Sequence, residues 1–170
     1  MAALLVGAGV SVVLGVYGRV HEANSRGLPD FGFGSPLVFK VWFGSAVMLL
    51  AIAQLVLAMW LYGKLPRAGD APSWVGTVHR ATGYTAFVLS LPVAALCLYG
   101  FGFNPDPFSG RVLLHSITGC LLYGAFAAKV IVVRSSRMPG WAIPLVGSVI
   151  FTTIVLVWLS SAVWYVLYHD

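Results

Sequence analysis

Charge is scarce in this sequence. Lys and Arg number 10 and Asp and Glu 5, and together they form 9% of the 170 residues, against roughly 25% in soluble domains. All the acidic residues (Glu22, Asp30, Asp70, Asp106 and Asp170) lie between long apolar runs or at the last position. No carboxylate stands inside an apolar run to carry a proton or a cation, which argues against a transporter. Cysteine is equally sparse. Cys97 and Cys120 fall at different depths of two runs, an offset of roughly 9 Å at about 1.5 Å per residue, whereas a disulfide needs Cα atoms within about 7 Å. They read as small buried hydrophobes. Zinc-ligand spacings, a nucleophile elbow and a phosphate-binding glycine loop are also missing, so the common soluble-enzyme classes find no support.

What fills the chain instead is apolar: 59% hydrophobic residues and a mean hydropathy of +0.91. A bilayer core of about 30 Å needs about 20 such residues at helical rise. Five runs are long enough, about 2–17, 37–62, 73–101, 111–133 and 141–168. Lipid offers backbone groups no partners, so each run must satisfy its own, and the runs are too long and uniform for barrel strands. The expected fold class is all-α, a polytopic five-helix transmembrane bundle with short loops, forming a single membrane domain over 1–170. The first run has no basic residue before it, its first charge being Arg19 on the far side, so it reads as a retained anchor. Trp60, Tyr62, Trp74, Tyr99, Trp141, Trp164, Tyr165 and Tyr168 cluster near run ends, as rings at the headgroup level do. Short Pro- and Gly-containing loops predict consecutive helices as antiparallel neighbours. Pro92 should bend the third helix, with Ser90 helping to satisfy the freed carbonyl, while Pro144 lies harmlessly in a first turn.

Basic residues set the orientation. The N-terminal side holds Lys64, Arg67, Arg80, Lys129, Arg134 and Arg137, and the other side Arg19, Arg26, Lys40 and Arg111. Six against four puts the N-terminus in the cytoplasm, although Arg19 and Arg26 after the first helix argue the other way. The net charge of +5 sits at helix ends, where anionic lipid headgroups account for it without a nucleic-acid partner.

The histidines are the chemistry-bearing residues. His79 and His115 fall inside predicted spans, where ionisable groups cost free energy and usually mark a pathway or a cofactor. Their surroundings match: His79-Arg80-Ala81-Thr82-Gly83 opens the third helix and His115-Ser116-Ile117-Thr118-Gly119 the fourth. A residue at i+4 shares the face of residue i, so each histidine sits above a glycine, leaving room for a flat ligand. Close helix packing is the other use of such glycines, and threonine bonding back to its own helix the other use of Thr82 and Thr118. The two helices run in opposite directions, so the histidines belong to opposite membrane faces and cannot share one iron. Two sites, one per leaflet, would suit electron transfer across a membrane, imidazole being a standard axial ligand of haem iron. Met59 near the end of the second helix could stand level with His79, and His21 after the first helix could reach His115. His169 beside the C-terminus is a weaker candidate.

The whole chain, including HRATGYTAF from His79 and HSITGCLLYGAF from His115, resembles a bacterial five-helix membrane family of uncharacterised function. More distantly, the intramembrane H-x-x-x-G elements are similar to those of transmembrane b-type cytochromes, whose four-helix cores hold haem through histidines on neighbouring helices. That resemblance implies haem b with His79 and His115 as metal ligands. The sequence departs from it in the second and fifth helices, which carry no histidine within their spans. The HRATG segment also resembles the H-R-x-S/T-G opening of a membrane-anchor helix in succinate dehydrogenase, which implies a quinone headgroup near His79, Arg80 and Thr82.

The leading expectation is a membrane electron-transfer protein that binds haem b near one or both membrane faces and exchanges electrons with quinone. It would lie in a bacterial cytoplasmic membrane among other redox or respiratory subunits, as an oxidoreductase component. The alternative is a cofactor-free accessory subunit of such a complex.

Overall fold

The computed structural model describes residues 1–24, 28–103, 110–136 and 138–168. Among them the regular elements are all helical. They are α1 (Ala2–Val20), α2 (Pro36–Leu61), α3 (Ser73–Ala95), α4 (Gly110–Arg134), α5 (Ala142–Trp158) and a short α6 (Trp164–Tyr168). A π-helical stretch, Leu96–Phe101, continues α3, and another, Leu159–Val163, joins α5 to α6. Counted as continuous rods, five helices are long and apolar enough to cross a membrane: Ala2–Val20, Pro36–Leu61, Ser73–Phe101, Gly110–Arg134 and Ala142–Tyr168. Their outward faces are apolar too, with Leu4 72% and Leu49 69% exposed, a surface that suits lipid and not water.

Local chemistry sets the ends. The Ser35 side chain accepts the Val38 N–H at 3.1 Å and Pro36 opens α2, while Gly63 at φ +62° turns the chain just beyond it. Trp60 and Trp74 meet edge to face at 5.7 Å beside that turn, and the Trp60 indole donates to the Gly69 carbonyl.

Helix order in space departs from helix order in sequence. Helix α2 packs on α3 and α4 on α5, as short loops predict, and α2 also touches α5. Helix α1 packs on α4. Two glycines explain that choice: a Cβ on Gly7 would come within 2.8 Å of the Gly124 carbonyl, and one on Gly124 would collide with Gly7 O and Ser11 Oγ. Their absence lets the backbones touch, the way membrane helices gain dispersion contact without a hydrophobic driving force. The apolar core joins Val47 and Ala51 of α2 to Leu122 of α4 and Ile150 and Ile154 of α5.

Helices α3 and α4 meet mainly through long side chains. Phe87 lies 5.1 Å from Phe126, and the Tyr123 hydroxyl donates to Ser90 Oγ at 2.9 Å. Ser90 donates in turn to the Phe87 carbonyl at 2.7 Å. The carbonyl that Pro92 deprives of its usual donor is that of Val88, four residues back. Ser90 therefore serves the neighbouring carbonyl and the link to α4 rather than the proline's vacancy. Beyond Pro92 the chain widens into its π-helical turn, and there α3 and α4 stand apart around a cavity.

Candidate functional site

The cavity measures about 400 Å³, within the range of small-molecule sites, and lies in the half of the bundle that holds the start of α4. Helices α2 to α5 wall it, and Leu14 of α1 contributes from outside. Arg111, His115, Gly119 and Tyr123 are spaced four apart on α4, so they form one stripe, and all four line it. The stripe runs about 18 Å from mouth to floor.

His115 is held in a defined way. Its Nδ1 lies 3.1 Å from Ser160 Oγ, and the Ser160 hydroxyl sits 2.6 Å from the Leu156 carbonyl. A serine hydroxyl has one proton, and Ser160 gives it to that carbonyl, so its oxygen accepts from His115 Nδ1–H. The neutral imidazole then carries its lone pair on Nε2, whose polar neighbour is Cys97 Sγ at 4.0 Å. A ring with Nδ1–H tied to an outer partner and a bare Nε2 has the arrangement that metal-ligating histidines adopt. Four residues deeper, a Cβ on Gly119 would meet nothing within 4 Å, and the same holds for Gly44 opposite on α2. Gly119 is thus not a packing glycine: it leaves room below the imidazole.

At the mouth stand two cations. Arg111 donates from Nη1 to the Ser160 carbonyl at 2.7 Å and lays its guanidinium 3.7 Å from the Trp164 ring centroid. Lys40 Nζ lies 5.5 Å from the Phe101 ring centroid. Cys97 and Cys120 are free thiols, and both line the cavity. The two π-helical stretches flank it, supplying Cys97 and Phe101 on one side and Ser160 behind His115 on the other, in keeping with the frequent occurrence of such bulges at functional sites.

The first H-x-x-T-G segment is used differently. Gln54 of α2 donates from Nε2 to the His79 carbonyl and to Thr82 Oγ1, each at 2.5 Å. Its amide also covers Gly83, where a Cβ would sit 3.1 Å from Gln54 Oε1. His79 Nδ1 is buried without a hydrogen-bond partner. The polar group that α2 brings to this turn is Gln54 rather than Met59, whose carbonyl caps the helix by accepting Lys64 N–H. Arg80 is exposed and reaches back to Thr77. Thr82 and Thr118 both bond to their own helices, at the carbonyls of Val78 and Leu114.

His21 lies in the same half of the bundle as His115 but does not line the cavity. Its ring stacks on Tyr17 at 5.0 Å and meets Tyr99 edge-on at 5.0 Å, with Nε2 buried and unpartnered. His169 lies outside the described residues. Among those described, no group of three or more His, Cys, Asp and Glu side chains could hold a bare metal ion. Haem needs only one or two protein ligands.

Ser160, Gln54, Lys40 and Arg111 were not singled out from the sequence as site residues. Signals existed: Gln54 is an amide within a long apolar run, Ser160-Ser161 a hydroxyl pair within another, and Arg111 stands four residues before His115.

The fold defines a multi-pass α-helical membrane protein with a polar-tipped cavity in one half of its bundle. The chain belongs to a family of unknown function, DUF6529, which it matches over residues 1–170. No curated protein and no solved structure matches it.

Proposed function

We propose that this protein is a membrane electron-transfer protein that binds haem b in the cavity, where His115 would hold the iron through Nε2. The observation that carries the reading is the His115 imidazole, fixed through Nδ1 by Ser160 and presenting Nε2, with Cys97 Sγ 4.0 Å away, above a glycine that clears the space beneath it. Haem, when bound, supplies one-electron chemistry at a potential tuned by ligand basicity, burial and nearby charge. The chain's own part is to hold His115 in one tautomer, to exclude water with the apolar walls from α2 to α5, and to keep two cations at the mouth.

One site is favoured over two. His115 opens on a cavity, whereas the His79 turn is closed by Gln54 over Gly83. His115 is also the one histidine among the lining residues, and no methionine lines the cavity. The reading is therefore a single haem that His115 would hold, with Cys97 and Cys120 also among the lining side chains able to ligate iron.

A quinone headgroup is the second reading, and the one-sided polar set favours it. A headgroup needs hydrogen-bond partners rather than a ligand on each face, and in its reduced, quinol form a hydroxyl would donate to His115 Nε2. The count of basic residues supports a cavity that faces away from the cytoplasm, with the N-terminus in the cytoplasm and the chain in a bacterial cytoplasmic membrane. Electrons would pass to other redox subunits of that membrane.

Pyridine haemochromogen assay of the purified chain, with mass spectrometry of its extracted lipids, tests the proposal. A stoichiometric b-type haem supports it. Co-purified quinone without haem supports the second reading, and a colourless, quinone-free, folded protein leaves a cofactor-free accessory subunit.

A further inference from the structure

The mouth of the cavity carries a chemical demand that His115 does not explain. Lys40 enters from the first turns of α2 and Arg111 from the first turn of α4, and both line the cavity. Among the described residues neither cation meets a carboxylate. Among those residues the contact of the Lys40 ammonium is the Phe101 ring at 5.5 Å, and Arg111 commits one nitrogen to the Ser160 carbonyl, leaving further N–H donors of its fork. Trp164 against the Arg111 guanidinium and the Ser160 carbonyl on Nη1 fix where that fork lies. Two cations at the rim of an apolar cavity, held by rings and a carbonyl, make an electropositive opening.

From this arrangement we infer that Lys40 and Arg111 form an anion-anchoring pair, so that the occupant of the cavity is a carboxylate-bearing amphiphile whose apolar body lies inward along His115 and Gly119. The inference rests on the haem reading and specifies it: the haem propionates would be the anions, held by Lys40 and Arg111 at the mouth. A neutral quinone offers these cations only carbonyl oxygens, weaker acceptors than a carboxylate. Charge-assisted hydrogen bonds to carboxylate are the stronger kind, and Arg can take one oxygen pair in a fork while Lys meets the other as a point charge. Arg111 is also tied to the ligand, because Ser160 binds Arg111 through its carbonyl and His115 through its hydroxyl. The cation and the ligand are thus set by one residue.

The test compares haem with its dimethyl ester, in which both propionates are neutral. The full chain is reconstituted in phosphatidylcholine vesicles and titrated with each, following the Soret shift that His115→Ala abolishes. Free haem is expected to bind at least about tenfold more tightly than the diester. Lys40→Gln should reduce that preference severalfold, and Lys40→Arg should preserve it. Lys40 carries the test because Arg111→Gln also removes the Trp164 and Ser160 contacts and can disturb the fold. Equal affinity for haem and diester would overturn the anion pair while leaving His115 ligation standing. A preference that disappears in phosphatidylglycerol vesicles would also overturn it, assigning the cations to a lipid phosphate. Absence of any His115-dependent shift with either compound would sink the haem reading itself, and the anion pair with it.

Discussion

Ser160 Oγ lies 3.1 Å from His115 Nδ1, across the contact between the π-helical end of α5 and the first turns of α4. The two residues are 45 apart in sequence, and the same serine takes Arg111 on its carbonyl. Ser160→Ala should leave the helices intact and free the imidazole to rotate or change tautomer. Loss of such an outer partner typically weakens a metal site about 10- to 100-fold, and that loss in haem affinity is expected here. Haem titration checks it, and the midpoint potential should move as well, since ligand basicity changes. Ser160→Thr, which keeps the hydroxyl, should restore both.

Gly119 and Gly83 occupy matching places in the two H-x-x-T-G segments and should respond differently to a side chain. Gly119→Leu adds a side chain into open space, so folding should persist while cofactor affinity drops by tenfold or more, about 1.4 kcal/mol at least. Gly83→Leu pushes on Gln54 and should lower thermal stability while leaving the cavity unchanged. Melting temperature in detergent, measured beside ligand titration, separates the two effects.

Gly124 tests the helix order. Its missing Cβ is what allows α1 to lie against α4 at Gly7 and Ser11, so Gly124→Val should force the pair apart. Overpacking at a close backbone contact costs about 1–3 kcal/mol or more, and α1 should become accessible to cysteine-directed labelling at Ser11→Cys introduced in that background. Wild-type packing with unchanged labelling would contradict the α1–α4 contact.

Gln54→Leu removes two hydrogen bonds from the His79 turn. Interhelical hydrogen bonds in membranes contribute about 0.6–2 kcal/mol, so a loss of that order in stability is expected. Denaturant or thermal unfolding in detergent reads the loss, with no change in any cofactor spectrum, since Gln54 does not line the cavity.

The spans were legible because their signal is one-dimensional: apolar length against bilayer thickness needs no knowledge of neighbours. Run ends deduced from Arg111, Tyr62 and Trp141 lie within a few residues of α4, α2 and α5. Neighbour order was not legible. Short loops suggested that α3 and α4 would pack as closely as α2 on α3 and α4 on α5, yet those two meet mainly through side chains, and Gly7 and Gly124, which complement each other only in three dimensions, draw α1 to α4 instead. The site was half legible. His115 and Gly119 share a face by helical period alone, so their stripe could be read from spacing. Gly83 has the same spacing and a different fate, because Gln54, 29 positions earlier, covers it. Ser160 escaped notice for a related reason: a hydroxyl that bonds to Leu156 in its own helix looks like any serine in an apolar run until α4 brings His115 against it.

The most direct test of the His115 site is a reduced-minus-oxidised visible spectrum of the detergent-purified chain, taken beside folded His115→Ala and His79→Ala variants. A b-type signal that survives His79→Ala and vanishes with His115→Ala is the expected result, one haem held by one histidine at one membrane face. A signal that is lost only in stages with both substitutions, or one that persists without His115, would contradict it.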